Sequence, residues 1–261
     1  QKCGLKLKET PRQPISYKYG PRSVAVGDFN NDSWSDMVVA NHAVNAVAIY
    51  FGQNSSSFST PIQYPTGNGS TPYIVAVGDF NTDSILDIAV ANFGITGDFN
   101  NDNYLDLAIS NYGTDNVQIL FGNESGTFAA VIRLSTGLGS HPNSITVGHF
   151  NQDVYLDIDV ANYGTNQIGI LLNNGNGTFA NQVNYSTGSA SPYSIGVGDF
   201  NQDNLLDLIA TNNGTDNLAV FLGYGNGTFV QPRMYSTGAS SSISFAVCDV
   251  NKDHRLDIIV V

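Results

Sequence analysis

The chain has 261 residues, enough for one large domain or two small ones, and 41% of them are hydrophobic, so a sizeable core can be buried. Ten Lys+Arg against 22 Asp+Glu give a formal net charge of -12, which argues against the basic footprint of a nucleic-acid partner. No apolar run approaches the ~20 residues of a membrane span, and abundant Gly, Asn, Ser and Thr argue against long helices.

Taken in chain order, the first signals are strand-like. Gln1 opens with no charged-then-apolar leader, so any signal peptide is expected to have been removed or to lie outside this sequence. Residues 4–8 alternate as a strand would, and residues 13–20 match residues 231–238 further on. Then comes an acidic loop, D-x-N-x-D-x-x-x-D, beginning at Asp28. Further copies begin at Asp79, Asp98, His149, Asp199 and Asp249, and 17 of the 20 aspartates fall on this template. The starts are 51, 19, 51, 50 and 50 residues apart, and a period near 50 is the mark of a repeat architecture.

Each full period divides into four strands. One precedes the acidic loop (194–198), a β-branched run follows it (207–212), and a third comes next (117–121, 218–222). Residues 225–229, Gly-Asn-Gly-Thr-Phe, are turn chemistry, and a fourth strand runs into 235–238. Four short antiparallel strands per repeat describe an all-β fold, a β-propeller of about five to six four-stranded blades, one of them incomplete. A β-solenoid would have shorter repeats.

The expected division is one propeller over 1–261: residues 1–21 complete the last blade, 22–71 form the first repeat and 72–95 a truncated second. Residues 96–141, 142–191 and 192–241 form the third to fifth repeats, and 242–261 the first half of the last blade. Closure by the N-terminal segment would remove two exposed strand edges. The 19-residue interval fits either a repeat that has lost about 32 residues or a five-blade ring with an extra acidic hairpin.

The repeated loop carries the chemistry. Oxygens at positions 1, 3, 5 and 9, with the position 7 carbonyl, form a hard donor set suited to Ca²⁺. The candidate ligands are Asp28, Asn30, Asp32, Trp34 and Asp36; Asp79, Asn81, Asp83, Ile85 and Asp87; and Asp98, Asn100, Asp102, Tyr104 and Asp106. They continue with Asn151, Asp153 and Asp157; Asp199, Asn201, Asp203, Leu205 and Asp207; and Asp249, Asn251, Asp253, Arg255 and Asp257. Asp and Asn also favour turns for their own sake, but carboxylates ~4 Å apart repel by roughly 4 kcal/mol at an effective dielectric of 20. Six such loops imply a cation, and six divalent ions would cancel the formal charge of -12. The copy at 149–157 is the doubtful one, because His149 is a poor ligand for a hard cation and Val154 is disfavoured at the sharp turn. Asn103 and Asn204 suit that turn best, and His254 with Arg255 should weaken the last copy.

Gly-Asp-Phe-Asn-x-Asp-x-x-x-Asp between short strands, with Phe51-Gly52, Phe121-Gly122 and Gly-Asn-Gly-Thr-Phe, resembles the FG-GAP or VCBS-type repeat of integrin α propellers and many secreted proteins. The resemblance implies calcium in the hairpin between the first two strands of each blade and an extracellular, adhesive or recognition role. It also implies a protein or glycan ligand on one face. Asn at position 3, no Gly at position 6 and too few residues for seven blades depart from the integrin version.

Two further readings stand beside this one: a lectin-like propeller with sugar sites between blades near Tyr185 and Tyr235, and a non-catalytic module of a larger secreted enzyme. Dispersed histidines (His42, His141, His149, His254), only Glu9 and Glu124 as glutamates, and no catalytic motif lead to the expectation of no enzymatic activity. Sequons at Asn54, Asn68, Asn123, Asn176, Asn184, Asn213 and Asn226 could carry glycans. Cys248 stands where other copies have Gly148 or Gly198, and Cys3 lies in the segment assigned to the same blade. They form either a ring-locking disulfide or two unrelated buried thiols.

Overall fold

The structure, a computed structural model, describes residues 19–53, 57–67, 72–80, 82–91, 94–125, 127–128, 130–188, 190–238 and 244–260. Sheet 1 contains β1 (Pro21–Gly27), β2 (Asp36–Asn41) and β3 (Ala46–Tyr50). A small hairpin, β4 (Gly52–Gln53) with β5 (Ser57–Phe58), precedes its outer strand β6 (Ile62–Pro65). Sheet 2 is β7 (Ile74–Gly78) with β8 (Asp87–Ala91). Sheet 3 is β9 (Gly94–Gly97), β10 (Asp106–Asn111), β11 (Asn116–Phe121) and β12 (Ala130–Ser135). Sheet 4 is β13 (Pro142–Gly148), β14 (Asp157–Asn162), β15 (Gln167–Leu171) and β16 (Val183–Ser186). Sheet 5 is β17 (Ser191–Gly198), β18 (Asp207–Asn213), β19 (Asn217–Phe221) and β20 (Arg233–Ser236), and sheet 6 is β21 (Phe245–Cys248) with β22 (Asp257–Val260). Every strand pair is antiparallel, and each sheet's first hairpin closes on the same register, from Gly27 with Asp36 to Cys248 with Asp257. The strand boundaries agree with the sequence reading within three residues; β9 starts at Gly94, ahead of the boundary drawn at 96. Among the described residues no helix is long and apolar enough to cross a membrane.

The core lies between sheets. Val38, Ala40, Val47, Ile49 and Val75 join sheets 1 and 2; Ala108, Val117, Ile119, Ile158 and Val160 join sheets 3 and 4; Ile168, Ile170, Ile195, Leu208 and Phe221 join sheets 4 and 5. Burying each of these large side chains contributes about 1.5–3 kcal/mol. Because both faces of a middle strand are covered, β14 and β18 are buried along nearly their whole length rather than at alternate positions.

One contact repeats around the ring and explains the glycine before each acidic loop. A Cβ on Gly27 would lie 2.6 Å from Leu86 Cδ1 in the next sheet. The same holds for Gly78 with Leu105 at 2.7 Å, Gly97 with Leu156 at 2.7 Å, Gly148 with Leu206 at 2.8 Å and Gly198 with Leu256 at 2.8 Å. Each blade is thus keyed to its successor by a leucine set against a bare backbone. At the join between last and first sheets both partners change, Cys248 replacing glycine and Ser35 replacing leucine.

The radial arrangement is seen in contacts across the axis. Tyr73, just before β7 in sheet 2, hydrogen-bonds Tyr193 of sheet 5 although two whole sheets intervene in the chain. The short interval is therefore resolved. Sheet 2 occupies a blade position, with Val75 N donating to Ser23 Oγ of sheet 1 at 3.3 Å and Gly78 keyed to sheet 3. It is a two-stranded blade and not a hairpin added to a five-blade ring. The N-terminal strands assigned to sheet 6, residues 4–8 and 13–18, lie outside the described residues, as does Cys3. Cys248 is exposed, so the alternative of a buried thiol does not hold for it.

Candidate functional site

Each acidic loop is wound by the same local chemistry. In the first, Asp28 Oδ1 accepts from Asp32 N at 3.1 Å and Asp28 Oδ2 from Ser33 N at 2.7 Å. Asn30 Oδ1 also accepts from Asp32 N, at 3.2 Å, and Asp32 Oδ1 accepts from Trp34 N at 2.8 Å. Oxygens of positions 1 and 3 therefore gather on one amide, that of position 5. The winding needs two left-handed residues, at positions 4 and 6: Asn31 and Ser33, Thr82 and Ser84, Asn101 and Asn103, Gln202 and Asn204, Lys252 and His254. The requirement at position 6 was read from sequence; the one at position 4 was not, because Thr, Gln and Lys there carry no turn signature.

The other loops follow suit. Asp79 accepts from Asp83 N and Ser84 N, and Asp83 from Ile85 N; Asn81 lies outside the described residues. Asp98 accepts from Asp102 N and Asn103 N, Asn100 from Asp102 N, and Asp102 from Tyr104 N. Asp199, Asn201 and Asp203 repeat this toward Asp203, Asn204 and Leu205, and Asp249, Asn251 and Asp253 toward Asp253, His254 and Arg255.

The copy at 149–157 differs where expected. Val154 does not take a positive φ, while Gln152 does. His149 makes none of the position 1 bonds to the loop amides; its Nδ1 instead lies 2.9 Å from the Tyr155 carbonyl, at position 7. An imidazole thus bridges the loop through one of the oxygens assigned to a cation. Asn151 and Asp153 keep their usual bonds, with Asp153 N donating to Asn151 at 3.1 Å and Tyr155 N to Asp153 at 2.8 Å.

Position 9 has a second role that the sequence did not reveal. Asp36 is fully buried, with Oδ2 accepting from Phe29 N and Oδ1 from Gly52 N, both at 2.8 Å. Asp106, Asp157 and Asp207 do the same with Phe99 and Gly122, Phe150 and Asn173, and Phe200 and Gly223. The Phe-Gly motif is the far end of this staple: a Cβ on Gly122 would fall 2.2 Å from the Leu105 carbonyl. Asp87 and Asp257, in the two-stranded sheets, keep the bonds from Phe80 N and Val250 N.

Burial dominates the electrostatics of these carboxyls. It raises Asp106 to about 6, against the pull of the Phe99 and Gly122 amides, with Asp102 and Asp98 adding a smaller push. Asp207 is raised for the same reasons, with Asp203 and Asp199 as its charged neighbours, and Asp157 is raised with Asp153 beside it. The aspartates of a loop therefore feel one another. Among the described residues no three His, Cys, Asp or Glu side chains are grouped closely enough to hold a metal by themselves. A cation here would need the asparagine amide and the position 7 carbonyl beside the carboxylates, and all of these are the hard oxygens that calcium takes.

Tyr185, suggested as a sugar position, is half-buried and engaged by residues of the next blade. Its hydroxyl accepts from Phe229 N at 3.1 Å and its ring packs edge-on to Phe221 and Phe229. Tyr235 lies exposed beneath Arg233, 5.0 Å from ring centre to guanidinium. Asn176 and Asn226 are exposed, but their Oδ1 atoms already cap Thr178 and Thr228.

Four stretches, 28–90, 98–158, 149–210 and 199–260, match the family model described as FG-GAP-like repeat. Among solved structures the chain is similar to a lectin from Agrocybe aegerita that recognises non-reducing terminal N-acetylglucosamine, at 18% identity and a TM-score of 0.61, covering 91% of this chain and 73% of that one. A protein from Lactobacillus plantarum gives 17% identity and a TM-score of 0.59, covering 87% and 74%, and a streptogramin B lyase 15% and 0.57, covering 88% and 73%. Likeness at these identities is likeness of fold, and the same fold serves a lectin and an enzyme. No curated protein matches the chain significantly.

Proposed function

The chain belongs to the FG-GAP-like repeat family, and on that footing we propose that it is an extracellular binding propeller whose acidic hairpins hold Ca²⁺. The observation that carries this is the recurrence of one wound, oxygen-lined loop at five of six blades, with two left-handed residues and the same bonds from the position 1 and position 5 carboxylates each time. A turn needs far less acid than this. Asp28, Asn30, Asp32 and the Trp34 carbonyl would hold the ion in the first blade, and the corresponding residues would do so in the second, third, fifth and sixth. Calcium supplies the countercharge that lets clustered carboxylates stay ionised; the loop residues orient the oxygens and the ninth aspartate ties the hairpin to the outer strands. The loop at 149–157 is held by His149 and takes no ion. Extracellular calcium at millimolar level would keep such sites filled, which supports placement outside the cell.

Binding rather than catalysis is supported by the commitment of the aspartates to backbone amides, which leaves them ill placed as general acids. A protein or glycan ligand would dock on one face, and a glycan is the reading that the lectin's fold encourages. The chain could equally serve as the recognition module of a longer secreted enzyme.

The test is thermal unfolding with calcium against a chelator. Mass action at 100-fold excess over Kd stabilises by about 2.7 kcal/mol per independent site, so removal should lower Tm by many degrees. An unchanged midpoint would defeat the calcium assignment.

A further inference from the structure

The face opposite the acidic loops carries a feature that the repeat motif leaves unexplained. At or near the start of four first strands stands a proline followed by Arg, Tyr or Asn: Pro21-Arg22, Pro72-Tyr73, Pro142-Asn143 and Pro192-Tyr193. In β1, β13 and β17 the ladder shifts register at that same place, between Pro21 and Ser23, Pro142 and Ser144, and Pro192 and Ser194. A bulge re-aims its extra residue. Here the bulged residues Arg22, Asn143 and Tyr193 converge with Tyr73, which precedes β7, to line one cavity of about 460 Å³ at the propeller axis, within the range of small-molecule sites. A constant frame with a variable residue, repeated around one cavity, is the arrangement of a reading site.

Its chemistry is specific. Arg22 lies with its guanidinium 5.2 Å from the Tyr73 ring centre, and among the described residues no carboxylate is within ion-pair distance of it. Among the described residues no Asp or Glu lines the cavity, so it is a cationic point in a chain of formal charge -12. The other lining groups are neutral and polar. Ser23 and Ser144 accept from the Val75 and Ile195 amides at 3.3 Å each, which leaves their own protons to donate. The Asn143 amide donates to the Tyr193 carbonyl at 2.8 Å, fixing the wall between sheets 4 and 5. The Tyr193 phenol, bonded to Tyr73 and partly buried, is pushed up to about 12 and so keeps its proton.

We propose that this axial cavity binds an acidic sugar, its carboxylate on the Arg22 guanidinium and its hydroxyls on the serine, asparagine and tyrosine groups around it. A planar guanidinium matches a carboxylate with two parallel bonds, and aromatic rings beside hydroxyl donors suit the apolar face and polar rim of a pyranose. The inference rests on the recognition reading above and adds to it the face, the residues and the ligand class.

The experiment titrates glucuronic acid, glucose and acetate into the full chain with calcium present, by calorimetry and by ligand-observed NMR. Saturable binding of glucuronic acid is expected, with glucose and acetate each weaker by about tenfold or more. Arg22→Gln should lose that binding, Arg22→Lys should recover part of it because the charge remains without the fork, and Tyr193→Phe should weaken it several-fold. The chelator-dependent Tm shift of Arg22→Gln should equal that of the unaltered chain, which separates this site from the calcium loops. No saturable binding of glucuronic acid, equal affinity for acetate, or unchanged affinity in Arg22→Gln would overturn the proposal, whatever the calcium result.

Discussion

Asp159 is the residue whose replacement should most improve this protein. It sits mid-strand on β14, paired with Thr146 and Ile170, where the corresponding positions of sheets 1 and 5 hold Val38 and Ile209. It is fully buried and neither carboxyl oxygen has a hydrogen-bond partner of good geometry. Burial raises it from 3.8 to about 8, with only slight relief from the Val160 amide. The folded form therefore holds a proton that the unfolded chain gives up near pH 4. Stability from this group is complete below about pH 4 and is lost as pH rises through about 8. At about 1.36 kcal/mol per pH unit, a displacement of roughly four units amounts to about 5 kcal/mol by pH 9, as an upper figure. Asp159→Val should remove that cost, and Asp159→Asn should remove the pH dependence while keeping a buried polar group. Urea unfolding at pH 5, 7 and 9 measures both. The unaltered chain should lose stability with pH faster than either variant, and Asp159→Val should be the more stable by at least about 2 kcal/mol at pH 9. Parallel pH profiles for all three chains, or a less stable Asp159→Val at pH 9, would refute the argument that an unpaired buried carboxyl is held protonated here.

Other expectations concern the loops and the ring. His149→Asp with Val154→Asn restores position 1 and the left-handed turn, and calorimetric titration should count one more calcium than in the unaltered chain; an equal count would remove the explanation for that loop. Gly122→Ala drives a methyl into the Leu105 carbonyl and should lower stability by about 3 kcal/mol in denaturant unfolding; a loss below about 1 kcal/mol would show the staple to be slack. If the last sheet is keyed to the first as the others are to their successors, Ser35→Leu alone should destabilise by about 1–3 kcal/mol against Cys248. Cys248→Gly should then rescue it in a double-mutant cycle, under reducing conditions. Additive effects would mean that the two ends do not meet.

Much of the architecture was legible because it repeats. A D-x-N-x-D-x-x-x-D loop every 50 residues fixes both the hairpin and its spacing, and glycine and asparagine mark the turns by the backbone angles they tolerate. Even the copy that winds differently could be named from His149 and Val154, since a histidine is a poor hard-cation ligand and a β-branched residue resists a positive φ. Local chemistry of that kind is written in neighbouring residues. What the chain could not disclose were relations between residues far apart along it. Two descriptions of the short interval were equal on paper, and only packing placed β7 on the inner ring. The pairing of Gly27 with Leu86, the burial of Asp159 in an apolar layer and the meeting of Arg22, Tyr73 and Tyr193 over one cavity arise from blades stacking about an axis. A residue's partner in a neighbouring blade is set by three-dimensional closure, and no pattern within a single repeat encodes it.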